Sequence, residues 1–294
     1  MYENYFNFTA KPFAMNPDPG FLYHSSRHAA ALTMLEYAIE SQAPFCMLTG
    51  DIGSGKTTLL RHLLRCLGGS VTVGLISNTH GDFRSIHPWL LSSLGIVPCE
   101  DSDIARYEAL IGFFVREYAQ GRRTLLVVDE AHNLEPGTLE ELRLLSNVNS
   151  EKDLAVQVLL VGQPELRIKL KRPELEQFAQ RVSVDFHLSP LSLDDSYAYV
   201  QHRLSIAGGD PAIFERDAIK FVHAKTGGVP RLMNQLCDLA LVYAFAEQRR
   251  VVKVKMLKEV LKDRRERGAI PLFGRRTAAR HRVPATVSGP SERG

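Results

Sequence analysis

Five short apolar runs with little alternation punctuate the first two thirds of the chain. They are "FCMLT" (45–49), "VTVGLIS" (71–77), "TLLVVD" (124–129), "VQVLLVG" (156–162) and "VSVDFHL" (182–188). Runs of this kind read as strands buried on both faces, which is the pattern of a parallel sheet covered by helices on either side. Helical spacing fills the intervals. Ser25 or Ser26 is placed to cap a helix through about Ser41. A helix with Leu59, Leu60, Leu63 and Leu64 on one side follows the first run, and others are expected near 84–94 and over 103–120. After Pro136 the helical period returns with Leu139, Leu142 and Leu145.

Beyond Leu188 the pattern becomes helical throughout. Ser192 with Asp195 opens a helix over 193–207 in the manner of a capping box. Helices near 215–225 and 230–247 follow, then a short "VVKV" and a helix to about Arg264. Four parts are therefore expected. An extended segment (1–24), rich in Phe, Tyr, Pro and Asn, packs on the core. An α/β unit (25–190) and a helical unit (191–266) come next. A basic, Pro- and Gly-rich tail (267–294) without hydrophobic period reads as disordered.

Composition narrows the classes. With 45% hydrophobic and 23% charged residues, the chain has ordinary globular make-up and enough apolar surface for two units. The net charge of +3 argues neither for nor against a nucleic-acid partner. Cys46, Cys66, Cys99 and Cys237 form no C-x-x-C pair and read as small core residues of a reducing compartment. The longest apolar stretch, "LALVYAFA" (239–246), is too short to span a bilayer, and the start of the chain lacks a signal-peptide pattern. A cytoplasmic protein without a membrane segment is the expectation.

Chemistry enters with "LTGDIGSGKTTLL" (48–60), where Gly50-x-x-x-x-Gly55-Lys56-Thr57 follows a strand and opens a helix. Glycines let successive backbone N–H groups curl round a phosphate, and the helix N-terminus adds its dipole. Gly50, Asp51, Ile52, Gly53, Ser54, Gly55, Lys56, Thr57 and Thr58 are the expected nucleotide-binding stretch. Lys56 reaches the β- and γ-phosphates and Thr57 holds Mg²⁺. In "LLVVDEAH", Asp129 ends a buried strand, where a carboxylate is costly unless it meets a cation such as hydrated Mg²⁺. Glu130 beside it is placed to polarise water for attack on the γ-phosphate. His132 reads as structural. No N-K-x-D or T-K-x-D stretch is present, which favours ATP over GTP, and no L-S-G-G-Q-like signature occurs.

At this point the chain resembles a family. "YFNFTAKPFAMNPDPGFLYHSSRHAAAL", "GDIGSGKTT", "LLVVDEAHNL", "LRLLSN", "LLVGQPEL", "QRVSVDFHLSPLS" and "TGGVPRLMNQLCDLAL" are similar to the AAA+ ATPases of the general secretion pathway protein A (ExeA-like) type, over roughly residues 1–262. The resemblance implies a P-loop AAA+ fold, with a five-stranded parallel sheet in the order 5-1-4-3-2 and a C-terminal helical lid. It implies that Gln163 senses the γ-phosphate, that Arg181 reaches into a neighbouring subunit's site, and that Arg231, at the start of a lid helix, contacts phosphate. An Arg there opposes the helix dipole unless a phosphate partner offsets it. His28 is implied to close over adenine.

An oligomeric ATP-driven switch for assembly of an envelope system (secretion, pilus or exopolysaccharide) is the expected function. It would have a protein partner in that system and sit at the inner membrane only through that partner. The other reading is a DNA-binding ATPase that regulates transposition, with duplex DNA as partner. Secretion prototypes continue into a membrane segment and a peptidoglycan-binding domain. This chain runs into a basic tail instead, so direct cell-wall binding is not expected.

Overall fold

The structure is a computed structural model, and it describes residues 1–16, 19–21, 23–77, 85–148 and 154–267. The expected disordered tail from 268 onward lies outside the described residues, as does Arg84 at the start of one expected helix. In chain order the elements are α1 (Glu3–Phe6), α2 (Ser26–Glu40), β1 (Phe45–Gly50), α3 (Lys56–Cys66), β2 (Val71–Ile76), α4 (His87–Leu94), α5 (Asp103–Ala119) and β3 (Arg123–Val128). There follow α6 (Pro136–Leu145), β4 (Val156–Gly162), α7 (Glu165–Leu170), α8 (Glu176–Ala179), β5 (Val182–Leu188), α9 (Leu193–Ile206), α10 (Arg216–Thr226), α11 (Pro230–Ala246) and α12 (Val254–Arg267).

All strand pairings are parallel, in the order β2-β3-β4-β1-β5, which is the expected order read from the opposite edge. The apolar runs are explained by burial. Every residue of β1 and β4 is buried, because these strands lie inside the sheet and have helices on both faces. Successive side chains take opposite faces. Phe45 and Met47 of β1 join one core with Leu110 and Phe114 of α5 and Leu139 and Leu142 of α6. Cys46 and Leu48 join the other core with Leu35 of α2 and Leu59 and Leu63 of α3. Edge strands β2 and β5 are only partly buried, and β5 carries more polar residues, Ser183, Asp185 and His187.

A third core lies among α9, α10, α11 and α12, and here the first residues depart from expectation. Tyr2, Phe6, Phe8 and Phe13 are buried with Val200, Leu204, Met233 and Leu236 of the helical unit rather than against the α/β core. Part of the segment is the short helix α1, not extended chain. Its aromatic rings cover an apolar helical face that would otherwise meet water, at roughly 1.5–3 kcal/mol per buried ring. Thr9 N–H donates to Ala207 O (2.7 Å), the Tyr2 hydroxyl donates to Asp238 Oδ1 (2.5 Å), and the Arg203 guanidinium Nε donates to Pro12 O (2.6 Å).

One more expectation changes in part. Cys46 and Cys237 are buried core residues, whereas Cys66 and Cys99 are exposed, since they sit at the end of α3 and in the turn before α5. In the short "VVKV" stretch Val252 makes a single parallel bridge to Phe214, and α12 begins at Val254. Among the described residues, no helix is long and apolar enough to cross a membrane.

Candidate nucleotide site

Strand β1 ends at Gly50, and the chain turns at once into the loop that opens α3. A Cβ at Gly50 would lie 2.7 Å from the Leu188 carbonyl oxygen of β5, so the loop leaves the sheet where only glycine fits. Gly53 and Gly55 take positive φ (81° and 103°), the region that glycine enters without strain. The Lys56 ammonium turns back along the loop, donating to Gly50 O at 2.8 Å and Asp51 O at 3.0 Å. Lys56 is only 7% exposed, and burial holds its pKa below the ordinary lysine value. Such a cation gains from an anionic partner at the loop.

Beyond β3, Asp129 stands opposite the start of α3. Thr57 Oγ1 donates to Asp129 Oδ2 at 3.1 Å, joining two motifs 72 residues apart. Burial pushes the Asp129 pKa up, while the Glu130 N–H donating to its Oδ1 (2.9 Å) works in the opposite sense. Glu130 has φ +56°, a left-handed conformation unusual for a non-glycine residue and of the sort that concentrates at working sites. Its carboxylate lies 3.3 Å from His132 Nδ1.

Lys56, Thr57 and Glu130 meet at one cavity of about 470 Å³, lined by Ile52, Gly53, Gly55, Lys56, Thr57, Thr58, Glu130, His132, Gln163 and Arg231 among others, and the expected Asp129 is not part of its wall but stands behind Thr57. Arg231 enters from the helical unit. Its N–H donates to Gly53 O at 3.2 Å, and a Cβ at Gly53 would lie 2.5 Å from the Arg231 Cβ. The residues fit a nucleoside triphosphate with Mg²⁺. The loop offers backbone N–H groups, Lys56 offers positive charge, and Thr57 with Asp129 offers hard oxygen donors.

Not every expected residue lines this cavity. Gly50, Asp51 and Ser54 shape the loop from behind. Arg181 lies away from it, donating through Nη1 to Ser146 Oγ (2.7 Å), Asn147 Oδ1 (3.0 Å) and Arg143 O (3.3 Å) after the end of α6. His28 does not stand over the cavity. It is buried in the first turn of α2, with Nδ1 2.8 Å from Ser25 Oγ and Nε2 3.1 Å from Ser54 O. One tautomer serves both contacts: Nε2–H donates to the carbonyl and Nδ1 accepts the serine hydroxyl. Burial lowers its pKa, which keeps that neutral ring in place, and the ring braces the loop from below. His28 also borders a small side cavity with Phe21, Tyr23 and Thr58.

The sequence reading missed one wall. Ala14, Met15 and Asn16 of the first segment line the cavity, with Tyr199, Arg203 and Asn234 of the helical unit. Arg203 holds that segment, donating to Pro12 O and Ala14 O while its guanidinium lies 4.7 Å over the Phe21 ring. The available signal was an Arg four residues after Tyr199 on the apolar stripe of a helix, a position a charged side chain takes only with partners.

Fold and site together define a P-loop protein of the AAA+ class. Residues 39–170 match the family described as AAA domain. Within that class the chain is related to General secretion pathway protein A of Aeromonas hydrophila, being 38% identical over 247 residues, which are 84% of this chain and 45% of that protein. A weaker match, 29% identical over 115 residues (39% of this chain and 33% of the relative), joins it to a Thermoplasma acidophilum chain described as an ORC1-type DNA replication protein. The chain thus spans less than half the length of either relative. Among solved structures, the Aeropyrum pernix ORC2 protein in its ADPNP-ADP complexes shares the fold, with a TM-score of 0.65 at 17% identity over 87% of this chain and 72% of that one.

Proposed function

We propose that the chain binds Mg·ATP and hydrolyses it, and that the cycle drives an oligomeric conformational switch. The observation that carries this reading is the Thr57–Asp129 contact at 3.1 Å, with Lys56 and Glu130 at the same cavity. Bound Mg²⁺ would neutralise charge on the phosphates as the terminal group leaves. Lys56 holds phosphate charge, Thr57 and Asp129 hold the metal, and Glu130 orients the attacking water. Gln163 and Arg231 read the terminal phosphate, and Arg181 serves a neighbouring subunit. Residues 25–190 act as the nucleotide-binding unit and 191–266 as its lid.

Similarity to General secretion pathway protein A supports work in a secretion-linked envelope system; a protein partner there and peripheral attachment to the inner membrane through it complete the proposal. The weaker likeness to a DNA replication protein favours a second reading, a DNA-binding ATPase. Phosphate release from ATP tests the activity. Wild-type protein should turn over, and Lys56→Ala should neither bind ATP nor turn over while keeping its circular dichroism spectrum. Equal ATP affinity in the two would remove Lys56 from the site. Duplex DNA separates the two readings of purpose. The envelope reading expects no stimulation, whereas ATP-dependent nanomolar binding that weakens steeply with salt would favour the second.

A further inference from the structure

Three side chains of the helical unit that line the cavity are joined to one another. Tyr199 and Arg203 lie one turn apart on α9, and Asn234 meets them from α11. Arg203 Nη1 donates to the Tyr199 hydroxyl at 3.4 Å, and that hydroxyl donates to Asn234 Oδ1 at 2.7 Å. Both bonds are buried. Asn234 itself is 7% exposed, so any polar group it leaves unpaired carries a cost.

The groups present fix the order of donors. A guanidinium only donates. The Tyr199 hydroxyl accepts from it and has one proton to give, which it keeps because burial pushes its pKa up. Turned the other way, the Asn234 amide would aim its NH₂ at the Tyr199 oxygen and leave a buried hydroxyl proton without an acceptor. The amide oxygen therefore stays on Tyr199. The Asn234 NH₂ group meets no hydrogen-bond partner among the described residues, and the side chain stands at the cavity wall. A buried donor of fixed direction is left for whatever fills that end of the cavity.

That end is not the phosphate end. Arg231 rests on the loop, its main-chain N–H donating to Gly53 O. Asn234 is three residues further along α11, on the same face and about 4.5 Å beyond Arg231 along the helix axis. With it in the wall stand Tyr199, Arg203 and Ala14 of the first segment. A nucleotide held by its phosphates at the loop carries its nucleoside away from the loop, and ribose and base both offer acceptors. We propose that Asn234 is a specificity-determining residue that donates a hydrogen bond to the nucleoside part, its amide aimed by Tyr199 and Arg203. The same guanidinium donates to Pro12 O and Ala14 O, so the aim of the amide and the place of the first segment are set together. This inference rests on the nucleotide reading above and adds the residue that recognises the nucleoside.

Calorimetric titration with two ligands tests it: Mg·ATP, and inorganic tripolyphosphate with Mg²⁺, which has phosphates but no nucleoside. Asn234→Leu should weaken ATP about fivefold, the worth of one hydrogen bond, and change tripolyphosphate affinity by less than about twofold. Asn234→Asp guards against a packing defect in the leucine variant. It keeps an oxygen for the Tyr199 hydroxyl but has no donor, and its added charge repels both ligands alike. ATP should therefore still lose about fivefold relative to tripolyphosphate. Ribose 5′-triphosphate locates the acceptor. A fivefold loss with it as well places the acceptor on the ribose, and an unchanged affinity places it on the base. Equal losses for ATP and tripolyphosphate in both variants would overturn the proposal, because Asn234 would then serve the phosphates or the fold. Wild-type protein that binds neither ligand would remove the nucleotide reading itself, a different result from equal losses.

Discussion

At the residue scale the site depends on a few backbone positions as much as on charged side chains. Gly53 shows this. With φ at +81° and the Arg231 Cβ 2.5 Å from where its own Cβ would be, it cannot become alanine without two penalties. The left-handed backbone alone costs roughly 1–2 kcal/mol, and the clash pushes α11 off the loop. Gly53→Ala should therefore lower the melting temperature by several degrees and weaken ATP binding, with thermal melts and a nucleotide titration as the checks. An unchanged melting point would mean that Arg231 does not rest on the loop. Legibility follows the same logic. That Lys56, Thr57, Asp129 and Glu130 come together was readable because each motif is local and the chemistry proposed for them demands those types. Arg203 and Asn16 were not, because their roles come from contacts between chain segments nearly 190 residues apart. His28 was placed in the right neighbourhood, but its contacts to Ser25 and Ser54 could not be read, since a residue bracing the first turn of α2 and a ligand position look alike in sequence.

At the scale of elements, burial on both faces made β1, β3 and β4 legible, and an apolar side facing the sheet made α3 so. The apolar residues there repeat because the packing requires it. Short elements escaped. Helices α7 and α8 are six and four residues long, too short to establish a period, and α1 owes its shape to the aromatic residues it buries in the helical unit. The edge strand β2 is pinned to α5 by polar contacts. Glu117 accepts from Arg122 Nε (2.7 Å) and Nη2 (2.6 Å) and from the Thr72 hydroxyl. The Arg122 bond first, then Thr72, holds the Glu117 carboxyl down to about 2 from its ordinary 4.5. A carboxyl whose pKa is lower in the folded state binds fewer protons there than when unfolded. Its contribution to stability is thus complete above pH 4.5 and disappears as pH falls toward 2. Glu117→Gln should melt below wild type at pH 7, and the gap should close through that window. A gap that persists unchanged at pH 2 would place the effect in packing rather than charge.

At the scale of the whole molecule, the cavity draws its walls from three parts of the chain: the loop after β1, the first segment and the helical unit. In the proposed cycle, nucleotide between them sets their relation and gives the switch its two states. Arg181 extends this reasoning to an assembly. It donates to Ser146 and Asn147 and does not line its own chain's cavity, so any phosphate it serves belongs to another subunit. Arg181→Ala should bind ATP and hydrolyse it poorly, and mixing it with Lys56→Ala should restore part of the activity. A mixture that forms mixed oligomers and stays inactive would confine Arg181 to its own chain. All of this depends on hydrolysis at the Glu130 site, and one measurement addresses that directly. In a single-turnover reaction with γ-labelled ATP, wild type should release phosphate, whereas Glu130→Gln should retain intact ATP at wild-type affinity and hydrolyse it at least about a hundredfold more slowly. Phosphate release by Glu130→Gln at the wild-type rate would contradict the account.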